Sequence, residues 1–207
     1  MVKIETLTLG DYQTNTYIVY DPATSQCAVI DPGYAPETIL GKLEALSLKL
    51  GAILLTHGHF DHVGAVEALV KKTGCPVWIR ESDYTQQKTP MNDFLYPIHD
   101  ASFAEFSFCE EGEVISVADL QFRVLETPGH TWGSVCYVCE DAMFCGDTLF
   151  AGSCGRIDLP GGDRIAMVDS LERLSQLEED LRIYPGHGES STLKQEQLTN
   201  PYLRGYL

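Results

Sequence analysis

No apolar run in these 207 residues approaches the roughly 20 needed to cross a bilayer, so a membrane partner is excluded. The opening residues, MVKIETLTLG, carry a lysine but no apolar stretch behind it, and no secretory signal is legible there. Positive charge is scarce: 14 Lys and Arg stand against 30 Asp and Glu, a net charge of −16, with no basic cluster. Affinity for nucleic acid rests on Lys and Arg neutralising phosphates, so this balance excludes nucleic acid as a partner. The chain has no Pro/Ser-rich linker and no low-complexity tract, and residues 1–207 therefore read as one domain. It also lacks a second C-x-x-C, so the CYVC of Cys136 and Cys139 cannot complete a zinc ribbon. That pair lies in a strand-like run, where positions i and i+3 face opposite sides. Seven cysteines, an odd number, point to free thiols in a reducing compartment, and the expected location is cytoplasmic.

What is present is a globular composition, with 44% hydrophobic and 21% charged residues. KIETLTL, TNTYIVY, CAVID and GAILLT read as strands, with a helix from about Pro36 to Leu46 before the last of them. Val63 to Lys72 reads as a helix closed by Gly74, and PVWIR as a further strand. From Glu81 to Glu111 periodicity is poor although large apolar groups are many, among them Tyr84, Met91, Phe94, Leu95, Tyr96, Phe103, Phe106 and Phe108. A lid, a pocket wall, core packing and a dimer contact are all open for this stretch. EVISV, LQFRVLET, SVCYVC and AMFC resume the strands; a helix from about Ile165 to Leu177 and a strand LRIY follow. A last helix starts at Thr192, where TLKQ has capping-box spacing. The same rough order of elements occurs twice, which predicts two similar halves, two sheets with helices outside.

Five of the six histidines occupy one kind of place. AILLT runs into His57, FRVLETPG into His130, AMFCG into Asp147 and LRIYPG into His187, each just past the end of an apolar strand. Loops gather at such an edge and sites are built there. On extended chain His57 and His59 point the same way, their α-carbons roughly 6–7 Å apart, a span suited to one ion. Asp61 and His62 come after a turn and aim elsewhere. PGH occurs twice, at Pro128–His130 and Pro185–His187, where proline and glycine make a tight turn and the glycine leaves room for an ion. One zinc uses three or four ligands; five histidines and two aspartates fit two divalent ions that share a carboxylate. Two such ions roughly 3.5–4 Å apart would hold a hydroxide between them, the nucleophile of a hydrolase. Zinc is expected, with iron and manganese open. His99 stands outside any such context and reads as a surface histidine.

The motif THGHFDH resembles the T-H-x-H-x-D-H signature of metallo-β-lactamase-fold hydrolases. DPG (Asp31–Gly33), TPGHTWGS (Thr127–Ser134), GDTLF (Gly146–Phe150) and YPGHG (Tyr184–Gly188) match the family's other motifs in order, over nearly the whole chain. The resemblance implies an α+β fold, a four-layer αβ/βα sandwich with a dinuclear site at one edge. By motif, His57, His59 and His130 would hold one ion, Asp61, His62 and His187 the other, and Asp147 would bridge. Asp61 and Asp147 would position the hydroxide, and Asp31 would orient a ligand histidine rather than bind metal. GDTLFAGSCGRIDLPGGD and YPGHGESSTLKQEQLTNPYL are most similar to the glyoxalase II (hydroxyacylglutathione hydrolase) group, in its short bacterial form without the C-terminal helical domain. The implied substrate is a small-molecule thioester such as S-lactoylglutathione, with the thiol carrier left open. Arg156 is a candidate for a substrate carboxylate, against an ion pair with Asp158 or Asp163. The alternative the motifs allow is a persulfide dioxygenase with a single iron on His57, His130 and Asp147. The glyoxalase-like second half argues against a lactonase or a β-lactam hydrolase.

Overall fold

The structure, a computed structural model, describes residues 2–86 and 104–205. Three strands open it in antiparallel order: β1 (Lys3–Leu9), β2 (Thr14–Tyr20) and β3 (Gln26–Ile30). Helix α1 (Pro36–Ala45) crosses to β4 (Lys49–Leu54), which runs parallel to β3. A single helical turn, α2 (Phe60–Val63), and helix α3 (Val66–Thr73) lead to β5 (Val77–Ile79). Helix α4 (Glu81–Gln86) precedes β6 (Phe106–Phe108), the edge of the first sheet, whose order is β1-β2-β3-β4-β5-β6.

The second half builds β7 (Val114–Val117), β8 (Leu120–Glu126), β9 (Val135–Cys139) and β10 (Ala142–Gly146) as a meander. A small hairpin, β11 (Leu149–Phe150) with β12 (Ser153–Cys154), comes before helix α5 (Arg164–Ser175). Strand β13 (Arg182–Pro185) then lies parallel to β10, and β14 (Ser191–Thr192) with helix α6 (Leu193–Thr199) closes the chain. The second sheet has the order β14-β13-β10-β9-β8-β7.

Alternation along the strands decides what each face buries. In β3, Ala28 and Ile30 face the other sheet while Cys27 and Val29 face α1 and α3. In β10, Ala142 and Phe144 face inward while Met143 and Cys145 pack under α5. Strands buried on both faces read as unbroken apolar runs, as CAVI and AMFC do. Three apolar clusters result, one between the sheets and one beneath each helical layer. The architecture is the α+β four-layer αβ/βα sandwich. Cys136 and Cys139 fall in different clusters, on opposite faces of β9. Among the described residues no helix is long and apolar enough to cross a membrane.

The elements follow the sequence pattern with one instructive difference. The expected helix from Val63 is two pieces, because Ala65 donates its N–H to Pro32 O at 2.9 Å and not to its own helix. A Cβ at Gly64 would run into Gly33 O, so this bend is pressed against the DPG loop. Thr192 caps α6 as TLKQ predicts, accepting from Gln195 N at 3.2 Å. In the stretch of poor periodicity, Tyr84 packs against Phe106 and Phe108 with ring centroids 5.1 and 5.2 Å away. Tyr84 and Phe106 thus cover the outer face of the first sheet, which is core packing and not a lid. Met91, Phe94, Leu95, Tyr96, His99 and Phe103 lie outside the described residues.

Candidate metal centre

The carboxyl ends of β4, β8, β10 and β13 come to one edge of the sandwich, and the loops behind them carry the seven predicted ligands. The loop after β4 delivers His57 and His59, and α2, starting at Phe60, turns Asp61 and His62 toward the second sheet. Donor atoms of His57, His59 and His130 lie within 4.8 Å of one another, and so do those of Asp61, His62 and His187. Asp147 stands between the two sets. Its Oδ2 is 3.5 Å from both His130 Nε2 and His187 Nε2, and its Oδ1 is 3.5 Å from His62 Nε2. All seven residues therefore converge on one place, in two groups around one carboxylate.

Hydrogen bonds fix the ring orientations. A carbonyl only accepts, so His130 Nδ1 donates to Arg156 O at 2.7 Å and His187 Nδ1 to Tyr12 O at 3.0 Å. Asp31, held at a left-handed φ of 49° just past β3, takes the Thr56 hydroxyl on Oδ2 at 2.6 Å and the Thr56 N–H on Oδ1 at 2.8 Å. Its Oδ2 also receives His62 Nδ1 at 3.0 Å. The Thr56 hydroxyl spends its proton on Asp31, so His57 Nδ1, 3.0 Å away, is the donor to it. With Nδ1 committed in this way, Nε2 is the atom that each of these four rings turns to the centre. Asp31, His57 and His62 could also group around an ion by distance. The bonds on both Asp31 oxygens make its role the orientation of Thr56 and His62.

The charges suit cations. His57 is pushed well below the usual histidine range, by burial first and then by its histidine neighbours. Burial and His130 bring His59 down to about 3. Burial alone would lower His62 too, but Asp147 and Asp31 outweigh it and raise it to about 9. Against burial, the bond His187 donates to Asp61 and the charge of Asp147 raise His187. Asp61 moves the other way: burial would raise it, but His187, at 3.2 Å, and His62 hold it far below the carboxylate range. His57 and His59 thus offer neutral imidazoles, whereas His62 and His187 hold protons among carboxylates where a cation belongs.

Orphaned polar atoms give a direct test of fit. His57 Nε2, His62 Nε2 and Asp147 Oδ1 are buried without a hydrogen-bond partner among the described residues, a costly state unless a cation satisfies them. His59 Nδ1 donates to His130 Nε2 at 2.9 Å, which holds these two rings together at the centre. The residues fit two divalent ions.

The glycines of the two PGH turns have different tasks. A Cβ at Gly186 would run into Asp147 Oδ1 and come within 2.7 Å of His62 Cε1, so this glycine does leave room at the centre. Gly129, at φ +139°, makes room for the backbone of α5 at Met167, not for an ion. Arg156 lies at the mouth and forms a two-pronged ion pair with Asp158, at 2.6 and 2.7 Å. Asp163 instead caps α5, accepting from Ile165 N and Ala166 N.

Other positioning residues carry no signal a single sequence would show. Thr14 Oγ1 donates to Asp61 Oδ2 at 3.2 Å. Asn15 donates to Pro185 O and Gly188 O, and Tyr17 OH to Pro185 O, so β2 straps the His187 loop across the sheets. Asp83 ties the His57–His59 loop to the loop after His130. The centre opens into a cleft of about 510 Å³ whose walls include Tyr12, Phe60, Phe150, Leu159, Cys154 and Arg156.

Comparison with known proteins gives the family. The model of the metallo-beta-lactamase superfamily matches residues 9–187. Hydroxyacylglutathione hydrolase GloC of Haemophilus influenzae is 34% identical, covering 98% of each chain. A hydroxyacylglutathione hydrolase of Aeromonas salmonicida is 40% identical over 84% of this chain but only 61% of its own length. Among solved structures, the B3 metallo-beta-lactamase BLEG-1 superposes with a TM-score of 0.85 at 31% identity, covering 98% of this chain and 100% of the other. TTHA1623 in a di-iron-bound form gives 0.83 at 38% identity, covering 96% and 100%. A match spanning the strands, the signature loop and the final PGH turn places this chain in the metallo-β-lactamase superfamily, among the relatives of glyoxalase II.

Proposed function

We propose that this protein is a dinuclear metal-dependent hydrolase that cleaves small-molecule thioesters such as S-acyl-glutathiones. The observation that carries the reading is the place of Asp147, 3.5 Å from nitrogens of both histidine sets. His57, His59 and His130 would hold one ion, Asp61, His62 and His187 the other, with Asp147 shared. When bound, the two ions, zinc by preference, make water nucleophilic at neutral pH and polarise the acyl carbonyl. Asp61 and Asp147 flank that space, orient the attacking oxygen and accept charge-assisted hydrogen bonds from it. Asp31 keeps His62 facing inward. Tyr12 and Phe60, edge to face at 5.0 Å, make an apolar wall that excludes water from one side of the cleft. Arg156, at the mouth, reaches a substrate carboxylate by releasing Asp158, an exposed partner. A thiolate is a good leaving group, its thiol having a pKa of about 8.5, so no strong general acid is required. The names of the relatives support a thioester of glutathione.

The competing reading is a single-iron persulfide dioxygenase on His57, His130 and Asp147, and the di-iron-bound relative keeps iron in play. Elemental analysis of protein purified without added metal, with thiol release from S-lactoylglutathione, decides between them. Two zinc ions per chain with rapid release are expected. One iron per chain, with oxygen uptake on glutathione persulfide and no thioester turnover, would overturn the proposal.

A further inference from the structure

We infer that Asp83 is a positioning residue for one half of the centre, the His57, His59 and His130 set, and leaves the other half untouched. The inference rests on the two-set reading above. Asp83 sits on α4, wholly buried, and both carboxylate oxygens are used. Oδ2 accepts from Gly58 N at 2.8 Å and from the Thr131 hydroxyl at 2.9 Å, and Oδ1 accepts from Gly133 N at 2.6 Å. Gly58 is the residue between His57 and His59, and Thr131 follows His130. One carboxylate thus ties two loops from opposite sheets, and those loops carry all three nitrogens of one set.

The contacts are tight enough to transmit position. A Cβ at Gly133 would stand 2.5 Å from Asp83 Oδ1, so the loop lies directly on the carboxylate. The Thr131 hydroxyl is also 2.7 Å from Ser134 Oγ, and Gly129 N donates to Thr131 O at 2.9 Å, which locks the turn through His130. Asp83 touches no metal donor and acts through backbone. The other set is held by different groups: Asp31 on His62, Thr14 on Asp61, and β2 with the Tyr12 carbonyl on the His187 loop. Asp83 therefore braces one set alone, whereas Asp31 reaches both, His62 directly and His57 through Thr56.

Asparagine at position 83 keeps the shape but offers one acceptor oxygen, and its NH₂ would face an N–H or O–H donor. The test is calorimetric Zn²⁺ titration of the chelator-stripped full chain in two backgrounds, each left with one set. In His187→Ala, which keeps the His57 set, adding Asp83→Asn is expected to weaken binding about 10- to 100-fold. In His130→Ala, which keeps the Asp61 set, the same change is expected to alter affinity by no more than about twofold. Equal losses in both backgrounds, or none in the first, would overturn the role of Asp83. Thr131→Val removes one of the three bonds to Asp83, together with the contact to Ser134 Oγ, and should show the same selectivity with a smaller loss, so the test survives a poorly folded Asp83→Asn; an unselective Thr131→Val would count against the inference. If the two parent variants each bind as many ions as the unmodified chain, the two-set reading itself fails, before Asp83 is changed.

Discussion

Asp147 lies between two groups of imidazole nitrogens, and its removal should undo both. Asp147→Ala is expected to abolish tight binding of the ion pair and to lower thioester turnover by about 10³-fold or more, measured by Zn²⁺ titration and thiol release. A variant that still held two ions and turned over normally would defeat the shared-ligand arrangement. The two sets should also differ in their response to pH. His59, at about 3, is already unprotonated at neutral pH and should add no pH dependence to metal affinity between pH 6 and 8. His62, raised to about 9, must lose a proton to bind, and affinity of its set should rise about tenfold per pH unit until about pH 9. In the metal-free protein the same shift has a definite sign. A histidine raised from 6.5 stabilises the fold fully below that pH, and the contribution is lost as pH rises through about 9. Metal titrations across that window, with proton release followed in buffers of different ionisation enthalpy, would reveal an equal slope for both sets if the assignment is wrong.

Strand ends and the loops behind them made the centre legible. The sequence shows apolar runs that stop at His57, His130, Asp147 and His187, and the folded strands deliver these residues at one edge because β4, β8, β10 and β13 end there. The straps across the sheets were not legible. Asn15 looks like any polar residue of a strand, yet its side chain donates to Pro185 O at 3.1 Å and Gly188 O at 2.9 Å. Asn15→Ala should cost about 2 kcal/mol, the worth of two hydrogen bonds from a buried side chain to backbone carbonyls. Tm in a thermal melt is expected to fall by about 4–8 °C, and an unchanged melt would show that the His187 loop holds itself. The helix break at Gly64 was hidden for a similar reason. Helical periodicity runs through it, while the hydrogen bond that ends the first turn goes to Pro32, some thirty positions earlier.

The centre also joins the two halves of the molecule. Each set draws ligands from both sheets, so bound ions cross-link the sandwich as Val135 N to Thr56 O and Tyr137 OH to Leu55 O do without them. Removing metal should therefore lower the stability of the whole fold. At about 1,000 times the dissociation constant, one bound ion contributes about 4 kcal/mol. For a chain of this size that is a fall in Tm of about 8–16 °C on chelation, as a single transition. Two separate transitions, or a melt indifferent to chelator, would show that the halves unfold without regard to the centre.

Local chemistry settled what one sequence can settle. Apolar runs and turns marked the strands, the net charge of −16 opposed binding to a polyanion, and the grouping of His57, His59, Asp61 and His62 announced a metal site. These are properties of neighbours along the chain. Tertiary structure alone decided which loop braces which. Asp31 is assigned to His62 and Thr56, Asp83 to Gly58 and Thr131, and Gly129 to α5, all by contacts between residues far apart in sequence. A buried carboxylate finds its donors only once the sheets have packed, and no spacing along the chain records that meeting.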